Sequence, residues 1–579
     1  MSLLDWLVVL VLNGSIIVFA LVWGGGTKTS SEWFLAGRSL PWWMVGLSMY
    51  ATFIDASDLV VDSGGAYQFG MRMFVLNWVG VVAGWLLLAN VVGLAMYRAG
   101  MYTNAEYLEA RFGLGARVIS VLVQVQFRTM VLGIMAQGIF LTLVIVLGWS
   151  ENVARTAVVA IAVVAIIYTM TGGLRAVALT DALQSIVMLV ASIIVFVLVF
   201  NHVGGWTGVH ERLRQHDPAE AAHMLEVGHP RLDRTDTANK TDDEIDDLLL
   251  LGGEHVAAEN AIVRSTPAWV FCLSLVIAGM AYSIVNHTQS MRLLGAKTEW
   301  DLKMSVVLAS AVLVVMTFVN LSLGVMGRAL HPTVALLDVP AELRGVDAIY
   351  PVLVRDLTAS GLRGIVVAGI MAAAFSTFDS IGSALSALIT RDLYARLFVT
   401  NADDHHYLWV GRWLTPAIIL GSFLYLPLLN QGMFAFYLEM VAAFVTPLLT
   451  VYLMGALTPV HRRSATVGLL VGVAYGIWGL LASWSAANTG TPLLPSALAN
   501  PHVAAPMSVL VTATSMVLVS LWWGWTPPGD ILRDEDAGWL RDSQGQVRPH
   551  DGSVSGRTPL VLGAIVLAAG VGLSFVVFW

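Results

Sequence analysis

Three aspartates fall within eight residues of an otherwise apolar stretch of the chain, residues 41–63. Asp55, Asp58 and Asp62 are spaced so that a helix would place all three on one face. Ionisable side chains are costly in apolar surroundings, so each one marks a hypothesis of function. Thr, Ser and Gly residues nearby favour a local break in the helix, which would turn free backbone carbonyls toward a cavity. Asp62 also fits a simple solvated position at the mouth of the helix.

A second polar set lies in the apolar stretch 364–396, where Ser376 and Thr377 are followed by Asp379 and Ser380. Hard cations prefer oxygen ligands, and two hydroxyls with freed backbone carbonyls supply five oxygens without a formal charge. Ser and Thr in apolar helices also bond back to the carbonyl four residues earlier, so the hydroxyl pair alone does not establish a site. Together with a broken acidic helix, the pair predicts a cation site.

Other polar residues in apolar stretches leave two readings open. Thr180 or Asp181 could cap the start of a helix, or Asp181 could relay a cation inward. The remaining ones each fit a single interhelical hydrogen bond, and several that converge on one cavity would form a binding site. They are Asn77, Tyr282, Asn286 and Glu439.

The composition restricts the class of protein. Of 579 residues, 57% are hydrophobic and 12% are charged, against about 25% charged in soluble domains. Mean hydropathy is +0.75 and the formal net charge is −8. These values exclude a soluble enzyme, a nucleic-acid binder and a disordered scaffold. Cys272 is the single cysteine, which excludes an intrachain disulfide. We find no phosphate-binding motif for ATP, which disfavours ATP-driven transport by this chain alone. We also find no constellation of catalytic residues, so we expect no enzyme activity.

Fourteen stretches have the length of about 20 apolar residues that a membrane-spanning helix needs. We therefore predict an all-α integral membrane protein with about 14 transmembrane helices. The stretches are 5–23, 41–63, 73–97, 115–147, 153–171, 179–203, 267–291, 302–330, 364–396, 408–428, 433–457, 464–485, 505–525 and 559–579.

Basic residues orient these helices, because cytoplasmic loops carry an excess of Lys and Arg. With the N-terminus outside, most basic loops fall in the cytoplasm, and an even number of helices returns the C-terminus outside. The main exception is the loop 329–363, which contains three arginines. We expect a multi-pass protein of the plasma membrane, which is the cell inner membrane in a Gram-negative organism.

Several short motifs are familiar in their order and spacing. Over about residues 30–470 they resemble the sodium:solute symporter family, and the number of helices resembles its longer sodium/glucose cotransporter-like members. The motifs are Phe34-Leu35-Ala36-Gly37-Arg38-Ser39-Leu40-Pro41-Trp42-Trp43, Gly64-Gly65-Ala66-Tyr67, Tyr102-Thr103-Asn104-Ala105-Glu106-Tyr107, Thr171-Gly172-Gly173 with Thr180-Asp181, and Ser376-Thr377-Phe378-Asp379-Ser380 with Thr390-Arg391-Asp392-Leu393-Tyr394.

The resemblance implies a LeuT-like core of two inverted five-helix repeats, residues 41–203 and 267–457. The other segments would be an extra transmembrane helix in 1–30, a polar extracellular loop 204–266, two further helices in 464–525, a cytoplasmic connector 526–558 and a C-terminal helix 559–579.

The resemblance also implies a sodium site. Carried over residue by residue, its ligands are the carbonyls of Ala51, Ile54 and Ala373 and the hydroxyls of Ser376 and Thr377. Asp181 matches an aspartate on the inward sodium route. A second register would move the carbonyls of the second helix to Ala56 and Leu59.

The sugar pocket of the family maps onto this chain with changes. Tyr282 matches an inner-gate tyrosine, and Asn286 follows it by one turn. Asp58 and Glu439 replace glutamines, and Asn77 replaces a glutamate. With Asp55, these residues are the predicted substrate-binding set. The extra carboxylates would accept hydrogen bonds from polyol hydroxyls, or favour a cationic or zwitterionic amine.

The resulting hypothesis is Na⁺-coupled symport of a small polar organic solute by alternating access, with a sugar or polyol favoured. Na⁺ is the expected coupling ion, and the lipid bilayer and the solute are the expected partners, without nucleic acid. Three alternatives stay open. They are an amino acid, amine or other organic solute, H⁺ coupling through Asp55 and Asp58, and a membrane sensor built on a transporter scaffold.

Overall fold

The computed structural model describes residues 1–24, 30–216, 224–228, 267–429, 433–489, 493–494, 501–526 and 556–579. Within these residues every extended regular element is a helix, as the composition predicts. Most of the predicted extracellular loop (229–266) and of the predicted cytoplasmic connector (527–555) lies outside the described residues.

Nine α-helices of more than six residues precede the first long gap in the described residues. They are α1 (Leu3–Gly24), α2 (Trp42–Phe53), α3 (Ala56–Phe69), α4 (Leu76–Arg98), α5 (Asn104–Phe112), α6 (Leu114–Leu147), α7 (151–172), α8 (Gly173–Val203) and α9 (Gly205–His216). α7 and α8 run on without a loop, and they are divided at Gly173, which has the left-handed φ of 63°.

Ten helices follow. They are α10 (Ala268–Val285), α11 (His287–Leu294), α12 (Glu299–Leu330), α13 (Ile349–Leu357), α14 (Leu362–Phe398), α15 (Asp404–Gly421), α16 (Met433–Leu457), α17 (Ser464–Thr489), α18 (Pro501–Trp523) and α19 (Thr558–Val577).

Ten of the described helices are long and apolar enough to cross a membrane, and α2 with α3 would add an eleventh as one bent span. Helices α1, α7 and α15 cover the other three predicted spans. The all-α membrane class is therefore confirmed, whereas the total of fourteen spans stays a prediction.

Two of the membrane helices are broken at corresponding places. α2 ends at Ile54, whose extended ψ of 105° separates it from α3. α10 ends at Asn286, which has the same ψ of 105° and leads directly into α11. These helices begin the two predicted repeats, 41–203 and 267–457. Discontinuous helices at matching positions of two halves are typical of transporters with inverted repeats.

The centre of the molecule is the packing of α14 against α8. Small residues permit this close approach, since a Cβ added at Gly369 would lie 2.4 Å from the Cβ of Ala191. The end of α2 packs on both helices. This three-helix contact brings Ala51, Asp181 and Ser376 together.

Candidate sodium and solute sites

The break after α2 frees backbone oxygen atoms at the predicted sodium site. In a continuous helix the amide of Asp55 would bond the carbonyl of Ala51. The Asp55 amide donates instead to Asp58 Oδ2 at 2.7 Å. The Ala51 carbonyl oxygen lies 3.1 Å from Ser376 Oγ of α14. Predicted ligands from the two repeats therefore meet across this break.

The Ser376 hydroxyl faces this break, and Thr377 is the next residue of α14. Ala373, Ser376 and Thr377 share one helical face and are fully buried. The Thr377 hydroxyl has no hydrogen-bond partner among the described residues. A buried unpaired hydroxyl is costly, and a cation with oxygen ligands would satisfy it. The residues present thus fit a Na⁺ ion. No cluster of three His, Cys, Asp or Glu residues suited to a metal occurs in the described chain.

Asp181 does not cap a helix, and that reading of the sequence is wrong. α8 begins at Gly173, two turns before Asp181. The hydroxyl of Thr180 bonds back to the Ala176 carbonyl at 3.0 Å. Asp181 Oδ1 lies 2.6 Å from Ser376 Oγ, so the carboxylate contacts a predicted sodium ligand directly.

A buried arginine neutralises this carboxylate. Arg292 Nη2 donates to Asp181 Oδ2 at 2.7 Å, and both side chains are completely buried. Ser48 lies between them, accepting from Arg292 Nε at 2.6 Å and donating to Asp181 Oδ2 at 2.5 Å. Ser380 also accepts a bond from Arg292. The network links α2, α8, α11 and α14 at the predicted sodium site.

A cavity of about 530 Å³, here called the aspartate cavity, lies beyond the break. It brings together four of the six predicted substrate residues and also Asp62. Its lining consists of Phe53, Asp55, Asp58, Val61, Asp62, Leu76, Asn77, Val131, Ile134, Tyr282, Phe434 and Tyr437. Glu439 is not part of this lining, although Tyr437 on the same helix is.

Two of the aspartates also stabilise the start of α3. Asp58 Oδ2 accepts from the Asp55 amide, and Asp55 Oδ1 accepts from the Asp58 amide at 3.1 Å. This reciprocal arrangement is a capping box. Asp55 therefore precedes α3 and does not share a helical face with Asp58 and Asp62, contrary to the prediction. All three carboxylates nevertheless line the same cavity.

Aromatic rings form another part of the wall of the aspartate cavity. Phe53 packs edge-on against Tyr282, with ring centroids 5.2 Å apart, and against Trp85 at 5.3 Å. Tyr282 also contacts Tyr437 at 6.3 Å. The cavity thus offers hydrogen-bond acceptors together with flat apolar faces.

Residues 33–476 match the model of the sodium:solute symporter family. This chain belongs to the sodium:solute symporter family. It is 28% identical to sodium/glucose cotransporter 4 of Danio rerio, over 85% of this chain and 74% of that protein. It is 26% identical to sodium/glucose cotransporter 1 of Oryctolagus cuniculus, over 81% and 70%.

A solved structure of a Na⁺-coupled sialic acid symporter superposes with a TM-score of 0.68 and 18% identity, covering 91% of this chain and 99% of that one. The LeuT-like fold class is confirmed. This member of the sodium:solute symporter family is a multi-pass membrane transporter and not an enzyme, and its coupling ion is Na⁺.

The symporter has a second cavity of about 230 Å³, here called the arginine cavity. The predicted substrate residue Asn286 lies there and not in the aspartate cavity. Tyr282 is the one residue common to both linings. The arginine cavity is lined by Val123, Gln124, Phe127, Arg128, Tyr282, Val285, Asn286 and Val445.

Sequence reasoning missed Arg128, although a signal was present. Arg128 is the one ionisable side chain between residues 118 and 147, inside a predicted span. The rule that draws attention to intramembrane acids applies equally to this base. Arg128 Nη1 donates to the Tyr282 hydroxyl at 2.8 Å, and the guanidinium also lies over the Tyr282 ring. The tyrosine between the two cavities is thereby held by an arginine.

Proposed function

We propose that this transporter couples inward movement of Na⁺ to uptake of a small polar organic solute by alternating access, with a sugar or polyol favoured. The observation that carries the proposal is the position of the break after α2. On one side of it, the Ala51 carbonyl meets Ser376 of α14. On the other side, Asp55 lines the aspartate cavity.

This geometry supports a direct route for coupling. Na⁺ would be held by the carbonyls of Ala51, Ile54 and Ala373 and by the hydroxyls of Ser376 and Thr377. The ion would hold the end of α2 against α14, and the next residue along the chain, Asp55, belongs to the solute cavity. Each ligand then raises the affinity for the other by the same factor.

The membrane potential supplies part of the driving force. Moving one charge across 100 mV is worth about 2.3 kcal/mol, which supports a roughly fortyfold solute gradient for each Na⁺.

Asp181 would support the sodium site through its contact with Ser376, and Arg292 already balances the charge of Asp181.

The lining of the aspartate cavity favours a hydroxyl-rich solute. Carboxylates and Asn77 would accept or donate hydrogen bonds at the edge of such a solute, and Phe53, Tyr282 and Tyr437 would pack on its faces. The likeness to sodium/glucose cotransporters supports the same class. Amines and amino acids are the second candidates, because three carboxylates line the cavity. Of the predicted substrate residues, Asn286 would act from the arginine cavity, and Glu439 lies in neither lining.

Uptake by the purified full chain in proteoliposomes tests this function. We expect accumulation of at least one labelled sugar, polyol or amino acid when Na⁺ is high outside, and its loss when K⁺ replaces Na⁺. Uptake that follows a pH gradient and ignores Na⁺ would establish H⁺ coupling instead. Solute binding without any flux would establish the sensor alternative.

A pair of substitutions separates capping from solute binding at Asp55. Asp55→Ser keeps an oxygen that can cap α3, whereas Asp55→Ala removes the cap at a cost of about 1 kcal/mol. If the carboxylate binds solute, the Ser variant keeps the thermal stability of the wild type and loses uptake. If Asp55 only caps α3, the Ser variant keeps both.

A further inference from the structure

The geometry points to Arg128 as the binding site for a carboxylate group on the transported solute. This inference rests on the proposed function, which it narrows from sugars and polyols in general to solutes that carry an acid group. It assigns the arginine cavity to that group.

The buried guanidinium of Arg128 is incompletely paired. The side chain is 2% exposed, and its Nη1 atom donates to a neutral partner, the Tyr282 hydroxyl. Its Nε and Nη2 atoms have no hydrogen-bond partner among the described residues. Asp58 interacts with Arg128 through space without bonding either atom. A buried guanidinium with two unused donors is costly, and a bound anion would remove that cost.

The two unused donors of Arg128 suit a carboxylate. Nε–H and Nη2–H lie on one edge of the planar guanidinium and point in parallel. This edge matches the two oxygens of a carboxylate in a bidentate pair. The hydrogen bond to Tyr282 uses Nη1, so both donors of that edge remain without a hydrogen bond among the described residues.

The other polar side chains of the arginine cavity also favour a group that only accepts hydrogen bonds. The Asn286 carbonyl oxygen Oδ1 accepts from the Thr288 amide at 3.0 Å, which leaves its Nδ2 as an unpaired donor. Gln124 is satisfied, since Oε1 accepts from the His287 amide and Nε2 donates to Asn104 and Ser120. The buried unpaired atoms of this lining, within the described residues, are thus all donors. A carboxylate only accepts, whereas a hydroxyl would need an acceptor as well.

The sizes and charges of the two cavities would orient such a solute. The arginine cavity is too small for a whole solute, and it meets the larger aspartate cavity at Tyr282. The carboxylates of the aspartate cavity repel an anion and accept hydrogen bonds from hydroxyls. An acidic sugar or polyol would therefore lie with its hydroxyls among the aspartates and its acid at Arg128.

Matched pairs of compounds test this assignment in proteoliposomes with an imposed Na⁺ gradient and chloride as the common anion. The pairs are D-glucuronate with D-glucose, D-gluconate with D-glucitol, and L-proline with L-prolinamide. We expect the acid of at least one pair to be taken up with Na⁺, and its neutral or cationic partner at least about 30-fold less efficiently.

The outcomes separate this inference from the proposed function. Na⁺-driven uptake of D-glucose or D-glucitol that equals or exceeds that of the matched acid overturns the carboxylate site and leaves symport standing. Absence of Na⁺-driven uptake for every compound overturns both.

Variants then locate the effect. Arg128→Lys keeps the charge without the bidentate edge, and Arg128→Gln removes both. In each we expect uptake of the acid to fall by about 30-fold or more, while Na⁺-dependent thermal stabilisation without solute stays that of the wild type. Arg155→Gln, at an exposed arginine of α7, is the matched control and should change neither. Equal loss of the acid and of Na⁺ binding in the Arg128 variants would mean a structural role and overturn the assignment.

Discussion

Asp181 and Arg292 form an ion pair with an Nη2–Oδ2 distance of 2.7 Å, and neither side chain is exposed. The pair joins α8 to α11, which follows the broken helix of the second predicted repeat. Because Asp181 also contacts Ser376, the charge balance at the predicted sodium site depends on Arg292 of α11.

Removing one partner of this pair should destabilise the transporter strongly. Arg292→Gln leaves a buried carboxylate unpaired, at a cost of roughly 3–5 kcal/mol. We expect a lower melting temperature in detergent, and partial recovery when Asp181→Asn is added. The control is Arg98→Gln, because Arg98 is exposed and its pair with Glu299 is worth about 0–1 kcal/mol. Equal effects of the two single substitutions would contradict the importance of the buried pair.

The predicted sodium ligands on α14 can be tested without a known solute. Ser376→Ala combined with Thr377→Ala removes two of the five proposed oxygens, so Na⁺ should bind at least about tenfold more weakly. The measurement is the Na⁺ concentration that gives half-maximal thermal stabilisation. Ser386→Ala is the control, since that hydroxyl bonds back to the Ser383 carbonyl of the same helix. Unchanged Na⁺ dependence in the double variant would sink the site assignment.

Asp347 should make stability depend on pH. It lies in the connection between α12 and α14, and its Oδ2 accepts from the Met433 amide at 3.2 Å. Burial raises the pKa of Asp347 to about 6, and the Met433 amide offsets only part of that rise. The folded state therefore holds this proton more tightly than the unfolded state, and stability rises as the pH falls from above 6 toward 4.

The measurement for Asp347 is the melting temperature at pH 7 and at pH 5. We expect the wild type to gain roughly 1–3 °C more on acidification than Asp347→Asn, which cannot titrate. Asp356→Asn, at an exposed carboxylate in the same connection, controls for general charge effects. Identical pH profiles of wild type and Asp347→Asn would show that Asp347 does not carry the effect.

The predicted orientation in the membrane has a simple test, because Cys272 is the single cysteine and is buried. We expect Glu342→Cys to react with a membrane-impermeant maleimide from outside the cell. Asn401→Cys should react only after permeabilisation. The wild type provides the unlabelled control. Labelling of Asn401→Cys in intact cells would show that the orientation is the opposite of the predicted one. The loop 329–363 is the sharpest test, because its three arginines are the main exception to the pattern of basic cytoplasmic loops.

The sequence predicted the membrane helices well because their signal is local. The length and apolarity of a segment predict a membrane span, and the order of the short motifs predicted the family and the LeuT-like fold. The approach of α2 to α14 was also expected, since Thr, Ser and Gly residues favour a break in the second span and the hydroxyls of Ser376 and Thr377 suit a cation. Each of these features can be recognised within one short segment of the sequence.

Side-chain partners could not be read in the same way. The distance between Asp181 and Arg292 along the chain is 111 residues, and no local pattern shows which acid faces which base. Asp55 was expected on the face of a helix, but the helix breaks one residue earlier and turns the carboxylate into a cap. Asn286 and Tyr282 are one turn apart and share the arginine cavity, yet only Tyr282 also lines the aspartate cavity, because α10 ends at Asn286.

The position of the Tyr282 ring between the two cavities has a consequence for uncoupled leakage through the transporter. In the predicted orientation α6 begins on the cytoplasmic side, so the aspartate cavity lies outside this ring and the arginine cavity inside it. The Arg128 bond keeps the ring between the two cavities, and on the proposed route a solute that moves from one cavity to the other would have to break that bond. The hydroxyl of Tyr282 is therefore where Na⁺ or solute slippage would begin, and Tyr282→Phe is the change to make first when uncoupled currents are sought.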